Sequence, residues 1–122
     1  MLVTTSYFAK IDSIENPVSI ARSEPRWFRQ RPCFQAYKKL APSWSLVGKA
    51  KQGRISQDEY ARLYRETVLD RLDPLTVLRE LYESFGSNPT LLCWEAKREA
   101  CHRRLVAQWL EVNTGVHVPE ID

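Results

Sequence analysis

Apolar and polar positions repeat with two different periods along this chain, and the change of period marks out its elements. Leu2-Val3-Thr4-Thr5-Ser6-Tyr7-Phe8 is β-branched and aromatic, the composition of a strand. Val18-Ser19-Ile20-Ala21 predicts a second short strand. Arg22-Ser23-Glu24-Pro25 ends it, because proline removes a donor and pushes the residue before it to extended geometry. A third apolar run, Thr90 to Trp94, follows the turn signal Asn88-Pro89 and has the look of a central strand buried on both faces.

Between and after these runs the period changes to that of a helix. Phe34, Tyr37 and Leu40 suggest a short helix from about Cys33 to Leu40, broken by Ala41-Pro42. Ser43 to Val47 suits a further helical turn, and the Gly-bounded, basic stretch Gly48 to Gly53 reads as a loop. Ser56-Gln57-Asp58-Glu59 is a capping box, with Tyr60, Leu63, Tyr64, Val68 and Leu69 on one stripe behind it. Asp73-Pro74 supplies an N-cap and a first-turn proline for a second amphipathic helix, with Leu75, Leu78, Leu81, Tyr82 and Phe85 as its apolar face and Gly86 as its stop. From about Ala100 a last helix turns His102, Leu105, Val106, Trp109 and Leu110 inward and Arg103, Arg104, Gln108 and Glu111 outward. Val116-His117-Val118 predicts an edge strand that ends at Pro119. Strands at the start, near residue 18 and near residue 90, with helices between and after, predict one α/β domain over residues 1–122. Its sheet is short, mostly parallel and flanked by helices, in a Rossmann-like three-layer arrangement.

A length of 122 residues suits one core, and 43% hydrophobic residues suffice to fill it. No apolar run approaches the roughly 18 residues of a membrane span, and Met1 to Thr5 has no basic leader, so a cytoplasmic protein without membrane association is expected. Three scattered cysteines, Cys33, Cys93 and Cys101, are read as reduced thiols, with Cys93 a small buried hydrophobe. The net charge of +3 conceals a segregation. Arg22 to Arg54 holds nine basic residues and one acid, Glu24, while the rest of the chain is net acidic. Such a basic patch fits a polyanion or a phosphate-bearing ligand, and equally a solvated basic face.

The candidate chemistry gathers where the third apolar run meets the last helix. Glu95 closes the run, and Cys101-His102-Arg103-Arg104 opens the helix. Open α/β sheets bind ligands at such strand ends. Parallel strands would bring Ser6, Arg22 and Glu95 together near Cys101 and His102. In an anion or nucleotide site, Arg22, Arg103 and Arg104 would take phosphates, Glu95 would act as general base or acceptor, and Trp94 or Trp27 would stack. The interleaved loop Arg26-Trp27-Phe28-Arg29-Gln30-Arg31 suits backbone neutralisation with base stacking. Thiol catalysis by Cys101 is a second reading, although neighbouring helical residues point about 100° apart and His102 then serves it poorly. A metal held by Cys93, Cys101 and His102 with Cys33 or His117 lacks CxxC and HxxxH spacing, so neither a metal nor a cofactor is expected. The plainest alternative is structural, with Glu95 pairing with Arg103 or Arg22 to tie strand to helix.

Several of these stretches together resemble the DUF488 family. They are Leu40-Ala41-Pro42-Ser43, Gly53-Arg54-Ile55-Ser56 leading into Glu59-Tyr60 and Tyr64, Leu91-Leu92-Cys93-Trp94-Glu95, and Cys101-His102-Arg103-Arg104-Leu105-Val106-Ala107 with Trp109-Leu110. The family carries a Cys-Tyr-Glu-like element ahead of a Cys-His-Arg element, and here Trp94 stands in the Tyr position. Ile20-Ala21-Arg22 occupies the place of the family's Asp-Val-Arg-like element. The resemblance runs over roughly residues 18 to 118 and implies an α/β fold without naming an activity. The function expected is binding, with processing as its extension, of nucleic acid or nucleotides at the Glu95–Arg104 site. Glu95, Cys101 and His102 are its catalytic candidates, and Arg22, Arg26, Trp27, Arg29, Arg31, Arg103 and Arg104 its anion contacts. A non-enzymatic interaction module with a structural polar cluster is the alternative.

Overall fold

Three short strands form a fully parallel sheet in the order β1-β3-β2, with β1 at Thr4–Tyr7, β2 at Pro17–Ser19 and β3 at Thr90–Cys93. This computed structural model describes residues 2–94 and 102–121. The apolar run that the sequence marks as central is central: its first four residues, Thr90–Cys93, form β3 and are buried, while Trp94 lies past the strand and is half-exposed. Thr5 and Val18 stand beside Leu91 in register, while Ser6 and Ser19 stand beside Leu92. Side chains alternate across a sheet, so Leu91 and Leu92 enter different cores. Leu91 joins the larger cluster with Val3, Val18, Ile20, Tyr64, Leu81, Val106 and Leu110. Leu92 joins the smaller one with Phe8, Ile11, Ile14, Ala21 and Phe28.

The two faces are covered unequally. Four helices supply the larger core: α2 (Trp44–Lys51), α3 (Gln57–Thr67), α4 (Pro74–Phe85) and α5 (His102–Thr114). The opposite face carries a 3-10 turn, Phe8–Ser13, and the four-residue α1, Arg26–Arg29. The expected three layers are thus present, one of them thin. The helix starts follow the sequence signals closely. Ser43, Ser56 and Asp73 cap α2, α3 and α4, accepting from the amides of Leu46, Glu59 and Thr76.

Several expected elements differ. Residues 33–40 do not form a helix. Gln35 to Tyr37 lies extended beside β2, where the Ser19 amide donates to the Gln35 carbonyl (3.0 Å) and the Tyr37 amide to the Ser19 carbonyl (2.8 Å). Only Lys38–Leu40 turns, as 3-10. A bare sheet edge needs partners more than three apolar residues need a helix. The chain tail does the same at β1: the Thr5 amide donates to the Pro119 carbonyl (3.0 Å) and the Ile121 amide to the Thr5 carbonyl (2.7 Å). Pairing therefore lies just past 116–118, and Pro119 takes part through its carbonyl alone. Helix α2 runs on through Gly48 to Lys51, which removes most of the expected basic loop. Leu75, placed on an apolar face by periodicity, is exposed. Arg103, expected to face outward, is fully buried. Cys93 is buried as expected but disulfide-bonded rather than reduced.

Candidate functional site

A cleft of about 490 Å³ opens beyond the carboxyl ends of β2 and β3. Ala21, Arg22 and Ser23 form its floor after β2, Trp94 follows β3, and His102 begins α5. Helices α2 and α3 make the facing wall through Val47, Ala50, Lys51, Ile55, Ser56, Gln57 and Tyr60. The volume lies in the range of small-molecule sites.

Arg22 is held there by backbone. Its Nε donates to the Pro42 carbonyl (2.8 Å) and Nη2 to the Ala41 carbonyl (3.4 Å). Among the described residues no carboxylate pairs with it, so its charge is positioned without being neutralised. Trp94 is oriented at both ends: the indole Nε1 donates to the Ser23 carbonyl (2.7 Å), and the ring meets Phe8 edge-on at 5.5 Å. Half of Trp94 remains exposed, at 51%.

His102 is buried against the Tyr64 ring, with centroids 5.3 Å apart, and its Nε2 lies 2.7 Å from the Ile20 carbonyl. Burial pushes the imidazole pKa down to about 4. The Ile20 bond opposes that shift, and the nearby Arg103 charge adds to it. His102 is therefore neutral at physiological pH. A carbonyl only accepts, so Nε2 carries the proton and Nδ1 the lone pair. Burial and the carbonyl bond hold this side chain in place at the base of the cleft.

The last helix sends its arginines away from the cleft. Arg103 Nη1 donates to Cys93 Sγ (3.0 Å), its Nε lies 3.4 Å from Glu120, and its guanidinium sits 5.5 Å from the centre of the Tyr7 ring. Arg104 makes a two-pronged pair with Glu120 at 3.0 and 3.1 Å. Both charges thus fasten α5 to the tail that edges β1. Ser6, expected at the site, instead donates to the Ile121 carbonyl (2.8 Å). Arg26, Trp27, Arg29 and Arg31 are exposed on and just after α1, outside the cleft lining. Glu95 and Cys101 lie outside the described residues.

Two features escaped sequence reasoning. One is the α2–α3 wall, with Lys51, Ser56, Gln57 and Tyr60; its signal was the Gly53–Tyr60 motif, which marks the start of α3. The other is Glu24, the single acid of the basic segment. It is buried, accepts from Ser19 Oγ (2.7 Å) and pairs with Lys38, whose Nζ also donates to the Ala21 carbonyl (2.7 Å). Lys39 is likewise paired, with Glu80 at 2.9 Å. Part of the segregated charge is therefore taken up in ion pairs within the chain. Among the described residues, no cluster of three or more His, Cys, Asp or Glu is placed to hold a metal, and no helix is long and apolar enough to cross a membrane.

Residues 13–114 match the family described as the active DUF488-N3 subclade. The chain belongs to the DUF488 family. That match spans β2, α1 to α5 and β3, and so includes the whole described lining of the cleft. No curated protein and no solved structure matches this DUF488 chain.

Proposed function

We propose that the cleft of this DUF488 protein binds a nucleotide unit, free or as part of a nucleic acid. The observation that carries this reading is Arg22, braced by two carbonyls at the cleft floor with no carboxylate partner among the described residues. Such a guanidinium is preorganised for a phosphate, and little side-chain freedom remains to be lost on binding. Lys51 adds a second cation on the opposite wall, and the half-exposed Trp94 ring offers a stacking face for a base. The subclade's description as active fits a retained site. Glu95 follows Trp94 directly in the chain, and its role as general base or hydrogen-bond acceptor, like that of Cys101, rests on the sequence. His102 contributes as a neutral, positioning imidazole rather than as a strong base.

Titration calorimetry with nucleoside monophosphates at low salt tests the reading. Arg22→Ala is expected to weaken binding at least ~10-fold, as loss of a charge-assisted bidentate contact does. Affinity should also fall as salt rises. A rival reading, a non-enzymatic interaction module, draws on Arg103, Arg104 and His102, all of which are tied into the fold. No binding of any nucleotide or oligonucleotide at low salt would decide for the rival.

A further inference from the structure

Next to the cleft, five aromatic rings touch in sequence. Trp94 meets Phe8 at 5.5 Å, Phe8 meets Phe28 at 5.0 Å, and Phe28 meets both Trp27 (6.2 Å) and Phe34 (5.6 Å). Phe8 and Phe28 are buried in the smaller core, which fixes the other three in place. Those three are exposed, Trp94 at 51%, Trp27 at 47% and Phe34 at 40%. A soluble fold has no packing reason to leave three large rings open on one buried aromatic base. Arg26, Arg29 and Arg31 are exposed in the same segment, which holds no acid from Arg26 to Phe34. Among the described residues none of these arginines has an ion pair. Lys38, Lys39 and Arg104, by contrast, are all paired.

We propose that Arg26–Phe34 and Trp94 form a ledge that takes a single-stranded polynucleotide running out of the cleft, with bases stacked on Trp94, Trp27 and Phe34 and phosphates on Arg26, Arg29 and Arg31. The proposal rests on the nucleotide reading of the cleft and names its substrate class. Exposed rings anchored on one buried aromatic base suit unstacked bases, whose π-faces are available only in single strands. A duplex hides those faces and would use the arginines alone. An acidic peptide would satisfy the charge but leave the rings without a matching surface.

Fluorescence anisotropy with a dye-labelled thymidine oligomer of roughly ten nucleotides, beside calorimetry with thymidine monophosphate, separates ledge from cleft. The oligomer is expected to bind more tightly than the monophosphate. Trp27→Ala with Phe34→Ala should weaken the oligomer ~10-fold or more while leaving monophosphate binding unchanged. Arg29→Ala with Arg31→Ala should shallow the salt dependence by about 1.4 in log–log slope, near 0.7 for each single-strand phosphate contact. This second pair of variants decides the matter if the aromatic pair fails to fold. A uridine oligomer run in parallel tells RNA from DNA, and ledge-dependent binding of either supports the proposal. Oligomer affinity indifferent to both pairs of variants would overturn it. So would a duplex or a glutamate oligomer bound as tightly as the single strand. Loss of monophosphate binding alone, with the ledge effects intact, would instead remove the cleft reading.

Discussion

His102 loses its solvent when α5 packs on the sheet, and that loss sets its chemistry. An exposed imidazole titrates near 6.5, whereas burial holds this one down at about 4. As pH falls, the unfolded chain takes up the proton first. The stabilisation is complete above about 6.5 and disappears as pH drops toward about 4, for a total of roughly 3 kcal/mol. Thermal melts at pH 7.0, 6.0 and 5.0 should therefore show a declining Tm that is flatter in His102→Gln. Glu80 and Glu111, whose carboxyls are held below their usual range by hydrogen bonds to Tyr37 and Val118, add their own loss of stability only as pH nears the ordinary carboxylate value, at the acid end of this window. Arg103 shows the opposite side of residue-scale reading. Helical periodicity placed it outward, but contact with Tyr7, Cys93 and Glu120 is made inside. A buried cation is tolerated only with such partners, and one of them, Glu120, comes from the far tail of the chain. No local pattern announces it.

At the scale of elements, caps were the most legible signals. Ser56 and Asp73 each accept the amide three residues on, as their sequence positions imply. Asp73 also accepts from the Thr76 hydroxyl at 2.7 Å. Asp73→Ala should cost about 1 kcal/mol, lowering Tm by roughly 3–5 °C in a chain of this size. Urea or thermal unfolding measures it, and an unchanged Tm would mean that tertiary packing alone holds the start of α4. The extended segments at the two sheet edges were illegible for a complementary reason. Gln35–Tyr37 and Pro119–Ile121 adopt their shape because Ser19 and Thr5 offer unpaired backbone groups, which lie far away in sequence. Gly48 misled in the other direction. A single glycine costs a helix about 1 kcal/mol, and packing of Leu46 into the core outweighs it in α2.

For the molecule as a whole, β3 joins two cores of unequal size, with Leu91 in one and Leu92 in the other. The thin side rests on Phe28, which is 1% exposed and touches Phe8, Trp27 and Phe34. Phe28→Ala should destabilise by about 3–5 kcal/mol. If both cores form one cooperative unit, unfolding followed by Trp fluorescence and by far-UV circular dichroism should still coincide. Separate transitions would show that the thin layer melts alone. The distribution of charge also belongs to this scale. The basic segment lends Lys38 and Lys39 to ion pairs with Glu24 and Glu80, and keeps Arg22, Arg26, Arg29 and Arg31 outside any ion pair among the described residues.

The sequence by itself determined the α/β class, the central position of β3, the caps of α3 and α4, and family membership through motifs at fixed spacing. Each of these depends on local periodicity or on short-range backbone hydrogen bonds, which one stretch of chain contains whole. It also singled out Arg22 and His102, which do meet in one cleft. Only the tertiary structure decided which cations are taken up in ion pairs and which, among the described residues, are not. That outcome depends on partners between 14 and 41 residues away, as Glu24 is for Lys38 and Glu80 for Lys39. It decided as well that the wall opposite Arg22 comes from α2 and α3. Charge and exposure are properties of neighbours in space, and a chain's own order does not carry them.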